Sequence, residues 1–394
     1  MRLGAGPAPV APLAAIVENR HVVVCCGTGG VGKTTTAAVF AIEAAKRGRN
    51  AVVVTIDPAK RLADTLGVDT LGHAVQEIDR RRWDPDGRAP RAGRLSAVML
   101  DTETTFDGLV VRYAKDEEQV QRILENRFYR NIAGALSGTQ EYMAMEKLHE
   151  LHEDGGYDLI VVDTPPTRHA LDFLDAPNRL IRLLDNRVFR LLMMPTRAYL
   201  RVASAAVQAF LRRVTKVVGA EVVDDVVAFF RAFEGMEQGF RDRAAAVEQL
   251  LGDPTTAFVL VTAARRDAVD EAEFFADRLA ESGLGVAALV VNRMLPAFAS
   301  EEAVPGLRAR AASLRSAKIA DERGAAAARR LASRYDDLAD FAAFAARERS
   351  ELAGVAARLD TDVVAYVAEL PHDVHDFAAL AEVARHLFAP PVSG

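Results

Sequence analysis

The chain has 394 residues, half of them hydrophobic, and a formal net charge of −6 at pH 7. This length allows one large domain or two ordinary domains with a sizeable core. The acidic balance disfavours a generally polyanion-binding surface but leaves room for a local basic patch, so we expect no nucleic acid as a main partner. The two cysteines, Cys25 and Cys26, are adjacent. Adjacent cysteines exclude a disulfide framework, and we expect a cytoplasmic protein.

Short apolar runs recur along the chain, and most are continuous, as in strands that are covered on both faces. They occupy residues 21–26, 51–56, 95–100, 159–162, 257–262, 286–291 and 363–367. Helical patterns separate these runs. We therefore predict an α/β fold with a doubly wound, mostly parallel sheet of about seven or eight strands. Ligands of such sheets bind at the carboxyl ends of the strands.

Three longer helical patterns interrupt the alternation of strand and helix. We interpret residues 1–394 as a single domain that carries a helical subdomain, contributed by two insertions at about 104–153 and 185–251. A third stretch, at about 300–359, is rich in Ala, Arg, Glu and Asp and predicts an exposed helical hairpin.

A phosphate-binding loop follows the first run. The sequence GTGGVGKTT matches GxxxxGK[ST] between a predicted strand and a predicted helix, which is the context that this motif requires. Its glycines let backbone N–H groups surround an anion at the helix N-terminus. Lys33 would reach the β- and γ-phosphates, and the Thr34 hydroxyl would bind Mg²⁺. The candidate nucleotide-binding residues here are Gly27, Thr28, Gly29, Gly30, Val31, Gly32, Lys33, Thr34 and Thr35.

Two aspartates complete the candidate site for ATP and Mg²⁺. Asp163 ends the run LIVVD, the pattern expected of the acidic residue that holds magnesium beside the loop. Asp57 follows the second strand, where it would approach the γ-phosphate. Phosphoryl transfer needs positive groups, a metal and an acceptor that orients the attacking water. The candidate catalytic residues are therefore Asp57, Lys33 and Asp163, and the candidate metal-binding residues are Thr34 and Asp163.

The motifs together resemble the ArsA-like ATPases, a family that includes arsenical pump-driving and tail-anchored-protein-targeting ATPases. The resemblance rests on GGVGKTT, the DPA at Asp57, DTPPT with His169, VVNRMLP and ELPHD. It implies that Asp57 positions or activates water and that Asp163 contacts Mg²⁺ through water. It further implies that Asn292, with the backbone near Pro371, recognises adenine. Family members act as dimers, so a homodimer or a heterodimer with a related ATPase is expected.

Two positions depart from the family pattern. Thr28 stands where the family carries a lysine that reaches the partner's nucleotide, and Arg168 stands in place of a glycine in the switch loop. One hypothesis is that Arg168, Lys60 or Arg61 supplies the missing charge. The alternatives are that Arg168 is a surface residue of an altered loop, or that a heterodimeric partner provides the lysine. We expect slow turnover.

Metal chemistry beyond magnesium is disfavoured. Soft metalloids need several converging thiolates, and a structural zinc would need a CxxC pair that residues 344–358 do not contain. Two histidine pairs, His149 with His152 and His372 with His375, lack a third and fourth ligand. We interpret the first pair as a solvated helix end and the second as a solvated loop.

Two apolar helical patterns, at residues 191–218 and 226–240, admit two interpretations. In the tail-anchored-targeting relatives this region forms a groove for a hydrophobic helix. The alternative is that both faces pack together as the core of the subdomain. Three functions remain open: a dimeric ATPase that handles a hydrophobic or protein client, an ATPase subunit that energises an anion transporter in the membrane, and a nucleotide-dependent scaffold with little turnover.

Overall fold

The computed structural model describes residues 12–56, 61–68, 71–133, 139–164, 220–296, 298–318, 321–359 and 361–388, together with residues 176, 181, 182 and 185. One sheet of eight strands organises this part of the chain, with the order β3-β4-β2-β5-β1-β6-β7-β8. The strands are β1 Val22–Cys26, β2 Asn50–Thr55, β3 Gln76–Glu77, β4 Arg94–Met99, β5 Leu159–Asp163, β6 Thr256–Ala263, β7 Val286–Met294 and β8 Val364–Ala368.

The sheet is parallel except at one edge, so the predicted fold class is confirmed. Residues of β1, β2, β5 and β6 are almost all buried, which explains why their sequences are continuous apolar runs. The strand that no apolar run predicted is β3, which pairs antiparallel with β4 through only two exposed residues.

Helices cover both faces of the sheet. The described α-helices are α1 Pro12–Asn19, α2 Lys33–Lys46, α3 Arg61–Thr65, α4 Arg80–Trp83, α5 Thr102–Tyr113, α6 Glu117–Leu124, α7 Arg127–Ala133, α8 Thr139–Glu153, α9 Ala220–Ala232, α10 Glu237–Gly252, α11 Arg266–Glu281, α12 Val304–Ser316, α13 Glu322–Arg358 and α14 Phe377–Phe388. None of these described helices is both long and apolar enough to span a bilayer.

Alternate residues of the central strands feed two separate hydrophobic cores. On β1, Val23 and Cys25 pack against α2 and α14, whereas Val22, Val24 and Cys26 pack on the opposite face with α8, α10 and α11. This division follows from the two-residue period of a strand. Because the strands other than β3 run parallel, their carboxyl ends lie at one edge of the sheet.

An aromatic cluster forms the core of the helical part. Phe229 of α9, Phe233 just after α9 and Phe240 of α10 are at most 6% exposed. Phe233 and Phe240 lie 5.0 Å apart, and Phe229 stacks on Tyr129 of α7 at 6.0 Å. The apolar pattern at 226–240 therefore packs inward in the described residues. The pattern at 191–218 lies outside them.

Two helices project as an antiparallel pair after β7. The first is α12, and the second, α13, is 37 residues long and is capped by Asp321, which accepts hydrogen bonds from the N–H groups of Arg323 and Gly324. Arg308 and Asp340 form an ion pair between them at 2.8 Å.

Candidate nucleotide site

The phosphate-binding loop joins β1 to α2, as the motif predicts. Two of its glycines are required by both backbone conformation and space. Gly27 has φ +147°, and a Cβ there would overlap the carbonyl oxygen of Val261 on the adjacent strand β6. Gly32 has φ +95°, and a Cβ there would overlap the side-chain amide of Asn292. The loop can therefore lie against β6 and β7 only because glycine occupies both positions.

Lys33 folds back over the loop. Its Nζ donates a hydrogen bond to the carbonyl oxygen of Thr28 at 2.6 Å, and the residue is 6% exposed. A buried ammonium at the N-terminus of a 14-residue helix is a strong local positive charge, to which the helix dipole adds. The Thr28 hydroxyl is buried and has no hydrogen-bond partner among the described residues.

Thr34 and Asp163 meet below the loop. The Thr34 hydroxyl donates to Asp163 Oδ2 at 2.8 Å, and the Thr55 hydroxyl donates to the same oxygen at 2.9 Å. The sheet register brings these residues together, because Asp163 at the end of β5 pairs with Cys25 on one side and with Thr55 on the other. Asp163 is 1% exposed. The two hydrogen bonds from hydroxyl groups therefore hold the buried Asp163 carboxylate in one orientation.

The donor chemistry at this point fits Mg²⁺. Hydroxyl and carboxylate oxygens are hard ligands, and magnesium usually takes one or two protein oxygens plus phosphate and water. Within the described residues no cluster of three or more His, Cys, Asp or Glu side chains could enclose a metal. The pair Thr34 and Asp163 therefore suits a metal that arrives with a phosphate ligand.

A cleft of about 300 Å³ opens above the loop. Among the predicted residues, Gly30, Gly32, Lys33, Thr34 and Thr35 line it. The lining residues that the motifs did not assign to the nucleotide site are Arg61, Asp64, Thr65, Thr164, Arg293, Val374 and His375. Arg61 is the first residue of α3, the helix that follows β2. From the sequence alone, Arg61 is a candidate only for replacing the positive charge that is missing at Thr28. In the structure it lines the same cleft as the phosphate-binding loop.

The predicted adenine residues are only partly brought to the cleft. Asn292 contacts the loop directly, since its Nδ2 donates to the carbonyl oxygen of Val31 at 2.8 Å. Pro371 is exposed, and it is Val374 and His375 from the same connection after β8 that line the cleft. Asp57, Lys60, Arg168 and His169 lie outside the described residues.

The cysteine thiols lie next to the site but are held protonated. Burial raises the pKa of Cys25 well above its usual value, and the neighbouring Asp163 carboxylate raises it further. Burial raises the pKa of Cys26 to about 12. A thiol rather than a thiolate is therefore present at neutral pH, and it is a poor ligand for soft ions.

The interpretation of His149 as part of a solvated helix end was wrong. His149 is 7% exposed and lies 3.6 Å from the Glu153 carboxylate. Both belong to an ionic network centred on Arg243 of α10, which pairs with Glu146 and Glu153 of α8. The apolar pattern of α8 gave no indication of this network, because the partner cation comes from a helix about 100 residues later. His372 and His375 are exposed loop residues, as expected.

Known proteins of one group match this chain. The family model ArsA ATPase, described as anion-transporting ATPase, matches residues 20–318. ATPase GET3 of Malassezia globosa is 27% identical over 69% of this chain and 72% of that protein. A putative arsenical pump-driving ATPase of Halobacterium salinarum is 32% identical over 41% of this chain and 24% of that protein. ATPase GET3B of Arabidopsis thaliana is 26% identical over 70% of this chain and 64% of that protein.

Proposed function

We propose that this chain, which belongs to the ArsA ATPase family, binds ATP with Mg²⁺ and hydrolyses it slowly to change the arrangement of a dimer that handles a hydrophobic or protein client. The observation that supports the nucleotide step most directly is the hydrogen bond from Thr34 to the buried Asp163 at the N-terminus of α2. It joins a metal-binding hydroxyl to a metal-orienting carboxylate directly under a phosphate-binding loop.

The residues of the site have separate tasks in this proposal. On nucleotide binding Lys33 would give up its hydrogen bond to the Thr28 carbonyl and would donate to the β- and γ-phosphates instead. The charge-assisted bonds to the phosphates would compensate for the bond that is lost. Thr34 and Asp163 would hold Mg²⁺, which when bound neutralises charge on the terminal phosphates. Asp57 would orient the attacking water. Arg61, at the side of the cleft, would stabilise the negative charge that develops on the phosphates during hydrolysis.

Release of γ-phosphate from purified protein tests hydrolysis. Lys33→Ala should abolish both release and Mg²⁺-dependent binding of ATP. Lys46→Ala, at the opposite end of the same helix, is the matched control and should behave as wild type. Tight MgATP binding without measurable release would support the scaffold function instead. Phosphate release that persists in Lys33→Ala would refute the assignment of the site.

A hydrophobic client is supported by the family resemblance and by an apolar helical pattern at residues 191–218. A purified transmembrane peptide tests the idea. The protein should keep the peptide soluble with a non-hydrolysable ATP analogue and release it with ADP, and Lys33→Ala should lose this difference. Equal solubility in both nucleotide states would contradict the client function.

The second candidate function is an ATPase subunit that energises an anion transporter. The description of the matching family and the name of the Halobacterium relative favour it. This function predicts that the protein co-purifies with a polytopic membrane protein and that this partner stimulates phosphate release. The protonated, buried thiols disfavour a metalloid as a direct effector of this chain.

A further inference from the structure

The carboxyl end of β7 is distorted where it meets the nucleotide cleft. Val291 pairs with Tyr366 of β8 and Met294 pairs with Ala368, so β7 advances three residues while β8 advances two. The extra residue forms a β-bulge that contains Asn292 and Arg293. Bulges beside functional sites commonly redirect a side chain that a regular strand would point elsewhere.

Arg293 has an unusual backbone at this bulge. Its φ is +56°, and among the described residues it is the one non-glycine with positive φ. The Asn292 side chain stabilises this conformation, because its Oδ1 accepts a hydrogen bond from the Arg293 N–H at 2.9 Å. Glycine would adopt the same backbone without steric cost. A long cationic side chain at a position whose backbone favours glycine points to a use of the side chain itself.

The Arg293 side chain lines the same cleft as the phosphate-binding loop. It is exposed and forms no ion pair with any carboxylate in the described part of the chain. With Lys33 and Arg61 it brings three cations to a cleft whose described lining holds one carboxylate, Asp64. A guanidinium beside an anion-binding loop fits the oxygens of a phosphate, to which it can donate two hydrogen bonds.

The order of the strands indicates which phosphate of the nucleotide the Arg293 guanidinium would contact. The Thr34 and Asp163 pair lies where β1 and β5 adjoin, so in the proposed site these residues would hold the metal and the terminal phosphates on that side. Arg293 lies on β7, two strands from β1 in the opposite direction, or about 10 Å along the sheet. The nucleotide therefore has to present its base-proximal end to Arg293.

We infer that the Arg293 guanidinium binds the α-phosphate of the nucleotide and is held in place for this by Asn292 and the left-handed bulge. This inference rests on the proposed nucleotide site and adds a residue to it. It predicts that the charge of the side chain at position 293 is needed for binding, whereas the strained backbone serves only to aim it.

Three variants separate charge from backbone. Arg293→Gly removes the guanidinium and relieves the strain, so it should fold at least as stably as wild type but bind MgADP about tenfold more weakly. Arg293→Lys keeps a cation and should stay within about threefold of wild type. Arg265→Gly removes a neighbouring cation at the end of β6, one that pairs with Asp267, and should change nothing. Titration calorimetry measures the affinity of each variant for MgADP and for magnesium pyrophosphate.

The outcomes distinguish the inference from the proposed function. Weaker binding of MgADP with unchanged binding of pyrophosphate supports the α-phosphate contact. Equal weakening for both ligands, or Arg293→Lys as weak as Arg293→Gly, overturns it. If wild type binds MgADP, Lys33→Ala does not, and Arg293→Gly equals wild type, then only the role of Arg293 fails. If wild type binds no nucleotide, the proposed function fails.

Discussion

Asp163 is the residue at which the nucleotide site and the sheet are joined. It ends β5, and both Thr34 and Thr55 donate to the same one of its oxygens. Its position could be predicted from the sequence, because an acidic residue after four apolar residues marks the end of a buried strand. The role of Thr55 could not be predicted, because nothing in the pattern of β2 shows that its last hydroxyl faces the neighbouring strand.

Asp163→Asn should separate metal binding from nucleotide binding. The amide keeps the size of the side chain but removes the charge that orients magnesium, so the gain in ATP affinity on adding Mg²⁺ should fall by about tenfold. Affinity measured in EDTA should stay close to wild type. Thr55→Val, which removes one hydrogen bond and keeps the carboxylate, should show a smaller loss. An unchanged magnesium effect in Asp163→Asn would contradict the proposed metal site.

The two cysteines should be chemically silent in the folded protein. Burial raises the pKa of Cys26 to about 12, and burial and the Asp163 carboxylate raise the pKa of Cys25, so both thiols stay protonated at pH 7. Ellman's reagent should therefore label neither cysteine in native protein over an hour and both in urea. Prompt labelling of native protein would show that β1 opens readily.

At the scale of elements, motifs of neighbouring residues could be predicted from the sequence, whereas contacts between residues far apart in the chain could not. The glycines of the phosphate-binding loop follow from one motif of eight residues. The contact of Asn292 with Val31 spans 261 positions, and no motif of the sequence indicated it. The same limit explains why His149 was misinterpreted. Two polar side chains of α8, Glu146 and His149, are buried, and Glu146 pairs with Arg243 from α10.

The contact between β7 and the loop can be measured by a double-mutant cycle. Gly32→Ala introduces both a strained φ and an overlap with the Asn292 amide, whereas Gly30→Ala introduces strain with open space around it. Gly32→Ala should therefore be more destabilising, by about 2 kcal/mol in urea denaturation. Removing the amide with Asn292→Ala should recover part of this difference. Strict additivity of the two substitutions would show that the side chains do not interact.

Arg243 should be the most costly charged residue to remove from the helical part. Its side chain is 4% exposed and pairs with Glu146, which is 2% exposed. Arg243→Met would leave that carboxylate buried without a counter-charge, at a cost of about 3 kcal/mol in free energy of unfolding. Arg241→Met removes another arginine of α10, one whose ion pair with Asp185 is more exposed, and should cost less than about 1 kcal/mol. Similar urea midpoints for both variants would contradict the network.

The same network predicts a pH dependence. Burial lowers the pKa of His149, and Arg243 lowers it further, against the opposing effect of Glu153. The unfolded chain therefore takes up a proton first as pH falls below about 6.5, and the folded protein loses stability there. Glu146, whose pKa is raised by burial, has the opposite sign. His149→Gln should thus flatten the decline in stability between pH 7 and 5. A slope equal to wild type would exclude His149 as its source.

At the scale of the whole molecule, the order of the strands determines what the site can do. The continuous apolar runs predicted seven of the eight strands, and the parallel arrangement follows from the helices between them. The order of the strands in the sheet is not encoded in any single run. That order places the phosphate-binding loop between Asp163 of β5 on one side and Asn292 of β7 on the other. In the proposed function a nucleotide would lie across β5, β1, β6 and β7, and its two ends would contact different parts of the chain.

Assembly is the property through which nucleotide binding would reach a client. Thr28 does not provide a charge across a dimer interface, so any nucleotide-dependent dimer must be stabilised by other contacts. We predict that sedimentation velocity shows a larger dimer fraction with MgATP than with MgADP, and no difference for Lys33→Ala. Thr28→Lys should raise the MgATP dimer fraction if the partner's nucleotide lies within reach of this residue. A monomer under all conditions would exclude the homodimer and leave a heterodimer with a related ATPase, which mixing with that partner would detect.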